Sequence, residues 1–438
     1  MKTMYKLSRY TINTINSQGQ MLLYNTLVGK KSMCKLPKPF SSMEKINNLL
    51  VAPQEHSEMV SKLLEKGIIV EDSNDERQVL YECFLAAVSP TYLTLHINPT
   101  EKCNFRCKYC YESFEKGSMT PDVEQKVIAY VEQNIHKYTG LHISWFGGEP
   151  LLALDCIRNL SQKFKRICKY YKIPYSATMT TNGYLLTPDH FNELLELDVK
   201  RYQITVDGMK GIHDNQRVLT DGRGTFDTII NNLQCIHSSG RRDFEIIVRS
   251  NITNEVLVNL DEYIDTIQTI CQNDDRFVFD FHKVGNWMGK ASDSIVPKII
   301  NNLDDLGYVY DKLLKSSFSG RINFNMYYPG NGSCYAGKRN QFLIRSNGDL
   351  HKCTVDFEVE GTQIGLLKNG QLQLNDNYYS TIVNINNCPN FYDCFFAPVC
   401  MGTPCPKDVN SGCPYTKDYI EITLQILDKN YPLELITE

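Results

Sequence analysis

Short runs of β-branched and aromatic residues alternate with longer runs whose apolar positions recur every three or four residues, and the alternation repeats six times between residues 89 and 293. The strand-like runs are Tyr92–Asn98, His142–Phe146, Tyr175–Thr180, Arg201–Val206, Phe244–Arg249 and Phe277–His282. Thr120–Tyr138 typifies the helices between them: Thr120 can cap it, Pro121 suits its first turn, Val123, Val127, Val131 and Ile135 share one face, and Gly140 lies at its end. Such alternation predicts an α/β fold built on a parallel sheet. Six units predict an open, partial (β/α)6 barrel with its site on the loops that follow the strands.

The pattern differs on either side. Residues 1–88 begin with β-prone stretches, Tyr5–Asn13 and Met21–Val28, around the turn-forming Asn16–Gln20, which reads as a hairpin. Amphipathic helices are expected at Met43–Val51, capped by Ser41 or Ser42, and at Glu55–Glu65, stopped by Gly67. Ile68–Asp72 and a helix over Asp75–Ala87 complete a small winged-helix-like domain. Residues 294–320 read as a helical connector. Residues 321–438 form a cysteine-rich tail ending in an amphipathic helix over Thr416–Leu427.

Composition narrows the classes. The 438 residues are 42% hydrophobic and 22% charged, enough for two or three globular domains. A net charge of −4 and a pI near 6.2 offer nucleic acid no basic surface. The N-terminus lacks the pattern of a signal peptide and no apolar run reaches membrane-spanning length, so a cytoplasmic location without membrane contact is expected. Sixteen cysteines there argue for metal rather than disulfides. Seven lie between Cys334 and Cys413 and three in Cys103-Asn-Phe-Arg-Cys107-Lys-Tyr-Cys110. The other six, Cys34, Cys83, Cys156, Cys168, Cys235 and Cys271, read as small buried hydrophobes.

The loop Cys103–Cys110 follows the first strand and offers three thiolates at x3 and x2 spacing. Iron–sulfur clusters are usually held by four cysteines, so a loop of three leaves one iron open to a small molecule. Zinc, with a distant His or Cys as further ligand, is the competing structure. After the second strand comes Gly147-Gly148-Glu149-Pro150, where two glycines permit close backbone approach. Thr181-Asn182-Gly183 follows the third strand, and Thr205-Val206-Asp207-Gly208 with His213, Asp214 and Arg217 follows the fourth. His213 and Asp214 suit a turn or capping pair better than catalysis. Arg249 and Asn251, at the end of the fifth strand, are weaker candidates for the same cleft.

The CxxxCxxC loop, with Tyr109 before its last cysteine, resembles the signature of the radical S-adenosylmethionine (radical SAM) enzymes, and the GGE, TNG and hydroxyl-x-D-G turns resemble theirs. The resemblance implies that Cys103, Cys107 and Cys110 hold a four-iron, four-sulfur (4Fe-4S) cluster whose open iron binds SAM. Reductive cleavage of SAM then gives a 5′-deoxyadenosyl radical, chemistry the cofactors supply while the protein positions them. It further implies that Gly147, Gly148 and Glu149 hold the methionine end, that Tyr109 and Asn182 lie at the cofactor, that Thr205 meets the ribose hydroxyls, and that Arg217 pairs with the SAM carboxylate. No general base is assigned.

Cys334, Gly348-x4-Cys353 and the later block resemble the SPASM domain, which usually carries two auxiliary 4Fe-4S clusters and would bring the total to three. The later spacings depart from that family's: x5, x5, x4 and x7 through Cys388, Cys394, Cys400, Cys405 and Cys413. Carried over by order, Cys388, Cys394, Cys400 and Cys413 hold one cluster. Cys334, Cys353 and Cys405 hold the other, with an open site that a peptide thiolate could occupy and that His351 could instead close. The first 88 residues are similar in pattern to the PqqD-like elements that bind a leader peptide as an added strand; a structural cap is the alternative. Together these imply a maturase that cross-links a ribosomally made precursor through a thioether or a carbon–carbon bond, with a flavodoxin or ferredoxin as electron donor. A sulfatase-maturating (formylglycine-generating) enzyme and a non-catalytic iron–sulfur scaffold are the alternatives.

Overall fold

The computed structural model describes residues 4–51, 53, 56–271, 274–284, 304–382, 388–402 and 419–437. Six strands form its centre: β1 (Tyr92–Ile97), β2 (Gly140–Trp145), β3 (Tyr175–Thr181), β4 (Val199–Thr205), β5 (Glu245–Ile252) and β6 (Phe277–Lys283). Each pairs parallel with the next in chain order, as the six-fold alternation predicts. Leu93, Leu95 and Ile97 of β1, Leu141, Ile143 and Trp145 of β2, and Val127, Val131 and Ile135 of the helical segment between these strands share one buried core. Burying each such side chain contributes about 1.5–3 kcal/mol, so this layer fixes the strand ends that carry the loops.

The helix expected at Thr120–Tyr138 spans Pro121–Asn134 and tightens into a 3-10 turn at Ile135–Lys137. Thr120 caps it through its hydroxyl, which accepts from Val123 N. Gly140 is not its stop signal. It opens β2, where a Cβ would fall 2.0 Å from the Tyr92 ring, so its role is packing.

The sheet does not end at the boundary expected near residue 321. Gln341–Ile344 adds parallel to β1, and Asp349–His351, Gly365–Lys368 and Gln371–Leu374 continue it antiparallel. Arg321–Ile322 covers β6 at the other edge. The Asn347–Gly348 turn needs a positive φ (+89° at Gly348), which only glycine adopts freely. Within the connector, Asp304–Lys315 is helical and packs on the closing helix, Tyr419–Asn430, through Tyr310 and Tyr419; 294–303 and 416–418 lie outside the described residues.

Residues 4–88 form a three-stranded antiparallel sheet (Thr11–Ile15, Met21–Asn25, Cys34–Leu36) with helices Met43–Val51, Ser57–Glu65 and Glu76–Val88. Two expectations need correction. Tyr5–Asn13 is not one strand: at Ser8 the chain turns inward, where the hydroxyl bonds Glu76, and Tyr5–Leu7 pairs separately with Ile69–Glu71. The hairpin also has a third partner, Cys34–Leu36, too short to show a period in sequence.

Candidate functional site

A cleft of about 460 Å³ opens at the C-terminal ends of the barrel strands, a volume typical of small-molecule sites. Cys103, Cys107 and Cys110 all line it, as do Tyr109, Gly147 and Gly148. Asn182, Thr205, Arg217, Arg249 and Asn251 complete the expected set. Residues spread over 149 positions thus meet because each lies at or beyond the carboxyl-terminal part of a parallel strand.

The cysteine loop is held from below and from the side. Below, Gly147 and Gly148 pass so close to the preceding chain that a Cβ would lie 2.5 Å from Thr100 O and 2.4 Å from Lys102 O respectively. The glycines are therefore required for packing under the loop as well as for an open cleft wall. Beside it, Phe105–Cys107 pairs antiparallel with Arg217–Leu219, setting Arg217 opposite Cys107.

Glu149 departs from its expected position. It is fully buried and does not line the cleft. Its oxygens accept from Leu151 N (3.0 Å), Thr181 Oγ1 (2.7 Å) and Asn182 N (2.8 Å), joining the loops after β2 and β3. Burial raises its pKa while those three bonds oppose the rise. Asn182, positioned by this clamp, donates to Asn104 Oδ1 (2.8 Å) beside Cys103.

Arg217 belongs to a buried network that the sequence reading did not assemble. The Tyr109 hydroxyl donates to Asp207 Oδ2 and accepts from Arg217 Nη1 and Asn251 Nδ2. Asp207 lies 3.7 Å from Arg217 and accepts from Asn251 N. The Asp in the Val206-Asp207-Gly208 turn was the available signal. His213 and Asp214 make structural bonds, as expected of a turn or capping pair: His213 Nδ1 accepts from Asp207 N in this turn, and Asp214 Oδ1 accepts from Thr225 N and Phe226 N at the start of the helix Phe226–Ser238.

Burial pushes all three loop thiols up, Cys110 to about 12, with Arg217 opposing the rise at Cys107. Bare thiols here would stay protonated, whereas a bound metal supplies the charge that stabilises thiolate. The donor set fits an iron–sulfur cluster, and the cleft fits an anionic group near it: Arg217 Nε is buried without a hydrogen-bond partner among the described residues. Among those residues no three His, Cys, Asp or Glu side chains converge closely enough to hold a single metal ion.

The tail supplies the opposite wall. Tyr335, Thr354 and Val355 line the cleft, while Cys353 and Cys334 line a second cavity of about 280 Å³ behind it. Thr354 anchors the wall: its N–H donates to the Tyr335 hydroxyl (2.8 Å) and its carbonyl accepts from Tyr111 Oη (2.9 Å). His351 does not line the second cavity; its ring is buried against Phe357 and near Thr362. Cys388 and Cys394 pack together with Phe391 and Met401, and Cys394 also joins the cluster containing Cys400. Cys405 and Cys413 lie outside the described residues. The buried Arg345 forms a bidentate pair with Glu101 (2.9 and 2.6 Å), fixing the tail's sheet two residues before Cys103. No sequence signal marked that pair.

Residues 97–270 match the family described as the Radical SAM superfamily. The GTP 3′,8-cyclase of Clostridium perfringens is 28% identical over 194 residues, 42% of this chain and 54% of that protein. This chain thus spans little more than half the length of the first curated relatives it matches. A cysteine-type anaerobic sulfatase-maturating enzyme of Clostridium novyi is 24% identical over 376 residues, 74% of this chain and 89% of that one. Among solved structures, anSMEcpe with bound AdoMet and Kp18Cys peptide superposes with a TM-score of 0.55 at 18% identity, over 69% of this chain and 88% of that one. SuiB of Streptococcus suis bound to S-adenosylmethionine gives 0.50 at 16%, over 92% and 96%. Among the described residues no helix is long and apolar enough to cross a membrane. The chain has the mixed α/β fold of these radical SAM structures, and the match to the Radical SAM superfamily is confined to residues 97–270.

Proposed function

We propose that this chain is a radical SAM enzyme that oxidatively modifies a ribosomally made peptide, first of all by joining a cysteine sulfur to a carbon, with carbon–carbon cross-linking as the next class of product. One observation carries the reading. The segment Cys353–Val355 is a shared wall, with Cys353 in the second cavity and its two successors in the cleft beside the three loop cysteines. A peptide lying in the cleft would therefore sit between two cysteine sets.

Cys103, Cys107 and Cys110 would hold the first 4Fe-4S cluster, and with SAM bound it supplies reductive sulfonium cleavage and a radical that removes hydrogen from carbon. The chain's own residues orient that chemistry. Arg217 meets the SAM carboxylate, Thr205 the ribose, and Asn182 and the Gly147–Gly148 strip the methionine end. Glu149 acts through the loops it joins rather than by facing the ligand. Cys334 and Cys353, with Cys405, would hold the nearer auxiliary cluster. His351, whose ring packs on Phe357 and meets Thr362 at the edge of that cavity, does not line it, and the fourth position would be left to a substrate thiolate, which iron binds well. Cys388, Cys394, Cys400 and Cys413 would hold the third cluster. Cross-linking would remove a hydrogen atom from carbon, taken up by the 5′-deoxyadenosyl radical, and a proton from sulfur, with the one remaining electron left to an auxiliary iron–sulfur cluster; an external flavodoxin or ferredoxin would donate the electron that cleaves SAM. Residues 1–88 would bind the leader of the precursor.

Formylglycine formation is the second reading, favoured by the 376-residue match to the sulfatase-maturating enzyme. Mass spectrometry of cysteine-containing peptides, incubated anaerobically with the iron-loaded chain, SAM and dithionite, separates the two. A loss of two hydrogens with retention of sulfur supports the cross-link. Loss of sulfur with a new aldehyde supports formylglycine.

A further inference from the structure

The sheet of residues 4–88 ends in a strand whose outer edge is taken by the chain's own distant segment. Lys35, in the middle of Cys34–Leu36, donates its N–H to Glu434 O (2.8 Å) and accepts from Ile436 N (2.9 Å), forming a parallel bridge to Leu435. Alternation then divides the three residues. Glu434 reaches Lys66 Nζ at 2.5 Å, Leu435 faces outward, and Ile436 is fully buried among Leu36, Leu63 and Ile69. The core of this module is thus completed by a side chain about 400 positions away. The opposite edge, Thr11–Ile15, is engaged by the closing helix Tyr419–Asn430 instead, through Gln425 Nε2 donating to Ile15 O (2.9 Å).

We propose that the outer edge of Cys34–Leu36 is a docking groove for an extended peptide that carries an acidic residue two positions before a β-branched apolar one, and that residues 434–436 occupy it in cis. Main-chain bonds to Lys35 give the groove affinity for any strand, while Lys66 and the apolar pocket under Ile436 read alternate side chains. Two main-chain bonds, a half-exposed ion pair and one buried side chain are a small contact for so specific a seat. Being intramolecular, the contact lowers the fraction of molecules open to a competitor and weakens that competitor's apparent affinity in proportion. That the competitor is a precursor leader rests on the proposed function; the groove and its code rest on the geometry alone.

The probe is a fluorescein-labelled peptide copying residues 430–438, titrated by fluorescence polarisation against the full chain and its Glu434→Lys and Ile436→Ala variants. The Glu434 side chain is 56% exposed, so Glu434→Lys loosens the cis strand without touching the core and keeps the test decisive if Ile436→Ala fails to fold. Loosened chains are expected to bind the probe at least tenfold more tightly than the parent. Replacing the acid of the probe by lysine is expected to abolish that gain; Lys66→Glu alone, which sets two carboxylates together and loosens the cis strand, is expected to bind the lysine probe in preference to the acidic one, and the Glu434→Lys/Lys66→Glu double variant, whose cis pair is restored, to bind either probe as weakly as the parent. Equal binding to parent and Glu434→Lys, or indifference to the probe's charge, overturns the proposal. No radical chemistry enters the measurement, so a failure of the proposed reaction is read separately.

Discussion

The loop Cys103–Cys110 and the tail cysteines reach their sites by different routes. Within the loop, three thiols fall inside eight residues and a single short ladder to Arg217–Leu219 sets them in the cleft. Cys334 and Cys353 are separated by eighteen residues and share a cavity only because the strands Gln341–Ile344 and Asp349–His351 fold between them and continue the barrel sheet. Spacing therefore encodes the first site almost by itself, while the second depends on tertiary structure that links it physically to the first. The two should respond differently when each is damaged.

The largest difference is expected from Cys107→Ala, which should take 5′-deoxyadenosine formation and peptide product to background together, measured by chromatography and mass spectrometry. Cys353→Ser should instead retain 5′-deoxyadenosine formation and lose the peptide product. Equal loss of both in Cys353→Ser would break the division between the sites.

Arg345→Met tests the link between them. It leaves Glu101 buried without its cation, a change that costs about 3–5 kcal/mol, and should lower the thermal midpoint and the iron content of the loop cluster together. Arg217→Lys keeps the charge but loses the planar fork; one or two charge-assisted bonds correspond to roughly a 10- to 100-fold weaker response to SAM, read as a raised half-saturation concentration.

The most gradual effect, spread over more than two pH units, is on acid stability. Burial pulls His142 down to about 4 and His96, which lines the cleft and packs at a tilt against Tyr335, down to about 3. Both are neutral when folded and take up a proton on unfolding below their ordinary value of 6.5. Stability should therefore be intact above pH 6.5 and fall as pH drops toward 4, by up to about 1.4 kcal/mol per pH unit for each histidine. His142→Gln should flatten that slope in denaturant titrations at pH 4–7.

What could be read from the chain follows the same division. The barrel was legible because each strand and helix carries its own period and Thr120 and Pro121 mark a helix start locally. The cleft residues were legible because parallel topology places every post-strand loop at one end. Glu149 was read as facing a ligand because a carboxylate beside two glycines looks the same in sequence whether it points into a cleft or joins two loops. Glu101–Arg345 and Lys35–Ile436 could not be read at all: each joins residues hundreds of positions apart without a periodic signature. Cys34–Leu36 was missed because three residues make no period.

The most direct test of the central claim is electron paramagnetic resonance of the anaerobically iron-loaded, dithionite-reduced Cys334→Ala/Cys353→Ala chain before and after SAM is added. The account predicts a reduced 4Fe-4S signal that shifts with SAM, because Cys103, Cys107 and Cys110 leave one iron open beside Arg217. A signal unchanged by saturating SAM would contradict it.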